Sequence, residues 1–459
     1  MKNLRLVPLS ILFVFVSACS TVSKQPVQLR PITEKTLPNG LRILYVRDKA
    51  LPRVGFQMMV MSGSASDPQS KEGLAAMTLT LLEQGTTKRS AMKVADDFAQ
   101  LGSNFSESGA ADYVMMSTAG LAQSKEQLLE VYADVILHPA FRLAEVERKR
   151  SQILADLIQR QDQPTEYAGI LFDAELFGRH PYAHPVEGYI DGVKAITRTQ
   201  VIKNYFTNYR PGNAMLAITG NFDDAFQARV EKTFSDWAPG PVEKPKVDPP
   251  VGDNKMEFKL FTKPGLQQTQ IRIGQLGIAR TDPDFLRLRL ANVILGGAFA
   301  SRLNQRVRDD LGLTYSIASS FDARLGTGSF EISTFARNEK AADAIRNTLS
   351  VVKDFQEHGV KSKELDAAKA LLVGQFPASI ETVDRTAFNL LVLRLYGIPD
   401  TYLTDFFKNV NSVGLSEVNK AITKHFHPDQ LKIVVFADEK AVKNQLAVDF
   451  PGLQVETVR

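Results

Sequence analysis

The chain has one cysteine, Cys19, among 459 residues, and that scarcity removes two chemistries at once. No disulfide can form within the chain, and no thiolate metal site can be built from it. An excess of charge of one sign is also lacking. Lys plus Arg (55) nearly balance Asp plus Glu (51), for a formal charge of +4 that falls to about +2 if a start segment with Lys2 and Arg5 is removed. Such a balance gives no support to nucleic-acid binding, which needs a basic footprint. Long apolar runs are missing near the start as well: Ile11 to Val16 is too short for a permanent membrane-crossing helix. With only six histidines, any imidazole metal site has few candidates to draw on.

What is present is a chain 44% apolar and long enough for two domains of about 200 residues each. Its start reads as an export signal over residues 1–18: Lys2 and Arg5, the short apolar run, then Ser17 and Ala18 before Cys19. The string Val16-Ser17-Ala18-Cys19 resembles a bacterial lipobox, in which the cysteine thiol carries the lipid. That resemblance implies lipidation at Cys19, a tether over residues 19–30, and anchoring in the bacterial cell envelope. Ser20 then favours the periplasmic face of the outer membrane.

Apolar periodicity organises the rest. Leu37-Pro-Asn-Gly-Leu41 predicts a tight turn into a strand at Arg42 to Val46, with a second strand at Val54 to Met61. Helical patterns follow at Glu72 to Leu82, Ala91 to Leu101, Lys125 to Leu137 and Ala144 to Gln159, before a strand at Ala214 to Thr219. Pro239, Pro241, Pro245, Pro249 and Pro250 mark a linker over residues 239–256. It separates one domain at 31–238 from another at 257–459. Beyond it a strand at Thr269 to Gly277 again precedes an Asp-Pro, Asp282-Pro283, and a helix, as Asp67-Pro68 does in the first half, so the halves read as diverged copies of one unit.

The stretch Gly73 to Thr86, GLAAMTLTLLEQGT, resembles the zinc helix of the inverzincin peptidases, the family of pitrilysin, insulin-degrading enzyme and mitochondrial processing peptidase. In active members, His-x-x-Glu-His places two ligands and a water-activating carboxylate on one helix face. Here those positions hold Ala76, Leu79 and Thr80, which cannot bind Zn²⁺. The later acidic ligand corresponds by resemblance to Asp156, ahead of Asp162-Gln163-Pro164. The remaining histidines do not restore a site: His138 precedes a proline, His180 and His184 lie in the proline-interrupted HPYAHP, His358 adjoins a glycine, and His425 and His427 end a helix. No metal ligand is therefore expected in this chain.

The resemblance continues through Leu176-Phe-Gly-Arg-His-Pro-Tyr182 and Tyr209-Arg-Pro-Gly-Asn213, and it is most specific over Leu295-Gly-Gly-Ala-Phe-Ala-Ser-Arg-Leu303 and Arg306-Val-Arg-Asp-Asp-Leu-Gly-Leu-Thr-Tyr-Ser316. These look like the family's glycine-rich loop and Arg/Tyr motif, which implies catalytic roles for Arg308 and Tyr315 and substrate binding at Gly296 and Gly297. From the residues themselves, Leu303, Val307 and Leu311 predict one buried helical face, Gly312 a helix stop, and Tyr315, Ile317 and Phe321 one face of a strand.

The resemblance implies an α+β fold of two homologous domains, each a mainly antiparallel sheet covered by helices, enclosing a chamber. It implies no cofactor in this chain, and zinc in a homologous partner subunit with which it would cleave a peptide or unfolded protein. The other functional class that fits is a catalytically inactive peptide-binding or structural pseudo-peptidase.

Overall fold

The computed structural model describes residues 27–242, 247–251, 255–452 and 454–457; the signal, the lipobox and Cys19 lie outside these residues. The turn at Asn39-Gly40 joins β1 (Ile32–Thr36) to β2 (Arg42–Arg47) in antiparallel register, Ile32 opposite Val46. Gly40 supplies φ 95°, and Asn39 accepts from the Leu41 amide at 3.2 Å while donating to the Phe234 carbonyl at 2.8 Å. One turn thus fixes a hairpin and docks it on the end of the helix Asp224–Ser235.

The first sheet has the order β1-β2-β6-β3-β5-β4, with β3 at Arg53–Val60, β4 at Ser106–Gly109, β5 at Val114–Leu121 and β6 at Ala214–Gly220. The second has the order β12-β7-β11-β8-β10-β9, with β7 at Glu257–Thr262, β8 at Gln268–Leu276, β9 at Ile317–Asp322, β10 at Ser329–Arg337, β11 at Lys432–Ala437 and β12 at Gln454–Thr457. Both sheets are mixed: β2 runs parallel to β6, β7 parallel to β11 and β12, and the remaining pairs are antiparallel. Adding five to each of β2-β6-β3-β5-β4 reproduces β7-β11-β8-β10-β9, so the repeated order inferred from the two Asp-Pro segments is present in the topology. Strands β6 and β11 are buried throughout, because both faces of each sheet are covered.

Each half covers one face of its own sheet and a face of the other's. The helix Pro164–Phe177 of the first half lays Ala168, Phe172 and Leu176 against Phe261, Val434 and Phe436 of the second sheet. Reciprocally, Ala387, Leu390 and Leu391 of the helix Val383–Leu395 join Leu44, Val46, Met59, Met215 and Ala217 of the first. Polar anchors fix both helix starts. Asp384 accepts from Arg53 and Thr219, while the buried Arg272 donates to the Thr165 carbonyl and pairs with Glu331 at 2.9 Å. Residues 27–30, grouped above with the tether, belong to the folded body: the Val27 amide donates to the Thr404 carbonyl at 2.8 Å and Arg30 pairs with Asp48 at 2.5 Å. Among the described residues no helix is long and apolar enough to cross a membrane.

Candidate functional site

The helix resembling a zinc helix runs from Leu74 to Leu81. It starts where it does because the Asp67 carboxylate accepts from the Gly73 and Ala75 amides, both at 2.7 Å, satisfying donors that have no partner inside the helix. Gly73 at φ 100° leaves no room for a Cβ, which would stand 2.4 Å from the Glu187 carbonyl oxygen. Leu79 is buried in the first-half core, Ala76 and Thr80 are half-buried, and the Thr80 hydroxyl donates to the Met77 carbonyl at 3.2 Å. Asp156 is exposed on the helix Leu143–Arg160. Burial pushes the Glu83 carboxyl above the usual range and the Glu107 carboxyl to about 7, the latter raised further by Glu83 and opposed by Lys149.

The histidines are engaged locally. His180 accepts from the Tyr182 amide at 3.1 Å and lies 2.7 Å from the Asp248 carbonyl; His138, His358 and His425 stand 3.2, 3.1 and 2.9 Å from Asp134, Asp354 and Asp284. Among the described residues, Asp282, Asp284 and His425 form the one group of three with ligand-type atoms close together. Its charge is already compensated: Asp284 also meets Arg287 at 3.2 Å, and the hydrogen bonds and charges of Lys424 at 2.8 Å and His425 at 2.9 Å hold its pKa at about 2 despite burial.

On the second half the geometry is different. The helix Phe285–Asn292 continues into a π-helical turn, Val293–Gly297, and a second π-helical segment spans Asn304–Asp310. Such turns are rare and recur at functional sites. Between them and the start of β9 lies an open groove of about 720 Å³ whose lining includes Gly296, Gly297, Phe299, Asn304, Arg308 and Tyr315. The four residues to which the sequence assigned catalysis and substrate binding therefore share one groove. The Arg308 Nε donates to Asp309 at 2.8 Å and its guanidinium lies 3.9 Å from the Phe299 ring centroid, the only side-chain contacts of these kinds that it makes among the described residues. Its terminal N–H groups are left to donate elsewhere. Tyr315 is 85% exposed.

Two expectations need correction. Leu311 is exposed instead of completing a buried face with Leu303 and Val307, because a π-helical turn does not return to the same side after four residues. Tyr315 precedes β9 instead of alternating with Ile317 and Phe321 on it: Gly312 at φ 60° ends the helix, and the segment to Ser316 turns outward. Gly296 lets the loop approach β9 closely, since a Cβ there would stand 2.5 Å from the Ser319 hydroxyl. Sequence reasoning missed Asn304 and Asn292. The buried Asn304 amide donates to the Ala298 carbonyl at 3.3 Å, the Ser301 hydroxyl at 3.0 Å and the Ile317 carbonyl at 3.0 Å. Asn292 donates to the Ser319 carbonyl at 3.0 Å and accepts from its hydroxyl at 2.7 Å. The two amides close the outer edge of β9 and tie the glycine-rich loop to the segment carrying Tyr315. The available signal was only a polar amide within each helical run, since the partners at Ser319 and Ile317 come from another element.

Residues 42–188 match the family described as Insulinase (Peptidase family M16), and residues 195–372 match the Peptidase M16 inactive domain. The chain belongs to peptidase family M16. It is 25% identical over 408 residues to the uncharacterized zinc protease YmxG of Bacillus subtilis, covering 87% of this chain and 96% of that one. An uncharacterized zinc protease of Mycobacterium leprae is 27% identical over 352 residues, covering 76% of this chain and 79% of its own. Among solved structures, a peptidase M16 inactive domain from Pseudomonas fluorescens superposes with TM-score 0.83 at 27% identity, over 89% of this chain and 98% of that one. The periplasmic protease PqqL of Escherichia coli shares the fold with TM-score 0.73 at 15% identity, over 92% of this chain and 49% of that one. The zinc ion in the relatives' names does not fit the corresponding helix of this M16 chain: a methyl, an isobutyl and a hydroxyl that already donates to Met77 offer no ligand set.

Proposed function

We propose that this M16 chain is the non-zinc subunit of a heteromeric zinc metallopeptidase, contributing substrate binding and oxyanion stabilisation to a zinc-bearing homologous partner. The reading rests on one contrast. The helix Leu74–Leu81 offers no metal ligands, whereas Arg308, Tyr315, Gly296 and Gly297 share an open groove. A zinc ion in the partner would supply Lewis-acid activation of water. This chain's own part is to hold an extended peptide or unfolded segment in the groove, across a chamber closed by the two subunits, with the Tyr315 hydroxyl and the Arg308 N–H groups donating to the scissile carbonyl oxygen as negative charge develops on it. Donors set in place before the reaction need no reorganisation during it, which is why they act mainly on the transition state.

A second reading, an inactive peptide-binding or structural pseudo-peptidase, draws on the contacts of Arg308 with Asp309 and Phe299, which give that side chain a packing role of its own. Metal analysis and reconstitution separate the two. Purified alone and without a histidine tag, the chain is expected to hold no stoichiometric zinc and to cleave no peptide; one tightly bound zinc per chain measured by elemental analysis would end the non-zinc reading. Mixed with a zinc-bearing homologue from the same cell, it is expected to restore cleavage. The lipobox adds a location, the periplasmic face of the outer membrane. Mass spectrometry of the mature protein is expected to find a lipid on an N-terminal Cys19, anchored firmly because multiple acylation exceeds the marginal binding of one chain. An unmodified N-terminus elsewhere rejects the anchor.

A further inference from the structure

A second groove adjoins the one at Arg308 and Tyr315 and shares Gly297 with it. It has a volume of about 310 Å³ and runs between the helix Phe285–Asn292, strand β9 and the helix Ser362–Ser379. Phe285, Leu288, Arg289, Asn292 and Val293 fall on one face of the first helix at intervals of three and four residues, so they line the groove together. We infer that this groove receives an acidic side chain of the bound peptide, with Arg289 as its counter-ion. The inference rests on the reading above that a peptide lies along the Arg308–Tyr315 groove.

Arg289 is the only charged residue in the lining, it is exposed, and among the described residues its side chain forms no ion pair or hydrogen bond. Its guanidinium only rests 5.5 Å from the Phe406 ring centroid. The neighbouring arginines are matched: Arg287 with Glu417 at 2.7 Å, Arg302 with Glu364 at 2.7 Å and Arg308 with Asp309 at 2.8 Å. Beside the groove, Arg280 is held between the Phe285 and Tyr402 rings, 3.9 and 4.7 Å from their centroids, again with no carboxylate partner among the described residues. The nearest acids on this helix start do not neutralise the groove, because Asp284 already meets Lys424, His425 and Arg287. The result is a small groove with an apolar floor, at Leu288 and Ile278, and a cation open to a ligand. A carboxylate on a flexible stem suits it: the methylenes cover the floor and the oxygens meet the guanidinium, whose planar donors fit a carboxylate. A lysine side chain would meet uncompensated positive charge.

The test uses the full chain and N-acetylated, C-amidated fluorescent peptides, so that no terminal charge competes. They are identical except for one Glu, Gln or Lys, moved stepwise along the sequence, and binding is read by anisotropy. At one position the Glu peptide is expected to bind about tenfold tighter than the Gln peptide, and the Lys peptide weakest. Arg289→Glu is expected to reverse that order, with an unchanged melting curve because the side chain is exposed. Arg306→Glu, at a cation outside the groove lining, is expected to keep the wild-type order. Equal affinity for Glu and Gln peptides at every position, with binding still lost in Arg308→Ala, overturns the acidic subsite and leaves the peptide groove standing. Absence of binding by every peptide overturns both.

Discussion

Tyr315→Phe is expected to lower the kcat of the reconstituted peptidase by on the order of a hundredfold, about 3 kcal/mol of transition-state stabilisation, while raising KM much less. Tyr315 is exposed, and among the described residues its hydroxyl makes no hydrogen bond that the substitution would disturb, so the loss reads out the interaction with substrate. Arg308→Ala is expected to do equal or greater damage and to weaken binding too, since the guanidinium can hold substrate carbonyls before reaction. Neither change should remove zinc from the partner. Arg302, a nearby cation, is a poor control. It makes a two-bond pair with Glu364 at 2.7 and 2.8 Å and donates to the Gly359 carbonyl at 2.9 Å, so its loss would disturb the fold. Arg306 is half exposed with Asp310 at 3.9 Å, and Arg306→Ala should leave turnover nearly intact. If both Arg308→Ala and Tyr315→Phe assemble, stay folded and turn over at the unmodified rate in steady-state assays, the pair is structural and the pseudo-peptidase reading replaces the catalytic one.

Phe172→Ala is expected to cost about 3–5 kcal/mol of stability, measured by urea or guanidinium unfolding. Phe172 has 0% exposure, yet it sits on a helix of the first half laid over the sheet of the second. Its ring tip occupies the space that a side chain on Gly274 would need: a Cβ there would stand 2.7 Å from the Phe172 Cζ. The cavity left by alanine lies among Phe261, Val434 and Phe436, whose backbones are fixed in the second sheet, so little collapse is expected to fill it. Phe206→Ala, at a position 56% exposed, serves as the comparison and should cost far less. A loss at Phe172 below about 1 kcal/mol would mean that the crossing helix contributes little to joining the halves.

Much of the site was legible because its evidence is local. The Arg308-to-Tyr315 spacing, the glycine pair and the helix stop at Gly312 lie within one short stretch, and Gly296, Gly297, Arg308 and Tyr315 line one groove. Where reading failed, long-range or irregular geometry was the cause. Leu311 followed a four-residue period that a π-helical turn does not keep, and nothing near Arg302 in the sequence points to its partner Glu364. Asn292 and Asn304 gave only the weak signal of polar residues in helical runs, since their partners at Ser319 and Ile317 arrive from another element.

The sequence by itself determined the side-chain chemistry and the local elements: no imidazole at Ala76 or Thr80, turns at Asn39-Gly40 and Gly312, and two rounds of strand, Asp-Pro and helix. These follow from residue identity, periodicity and capping, which act over a few neighbours. Only the tertiary structure decided that the helices Pro164–Phe177 and Val383–Leu395 cross to the opposite sheets, that two amides close the edge of β9, and that among the described residues Arg289 is left unmatched while Arg287 and Arg302 are not. An apolar face states that it must be covered without naming the surface that covers it, and a charge states nothing about its partner. Those choices are made by contacts between separate elements, from 13 positions apart for Asn304 and Ile317 to 331 for Arg53 and Asp384.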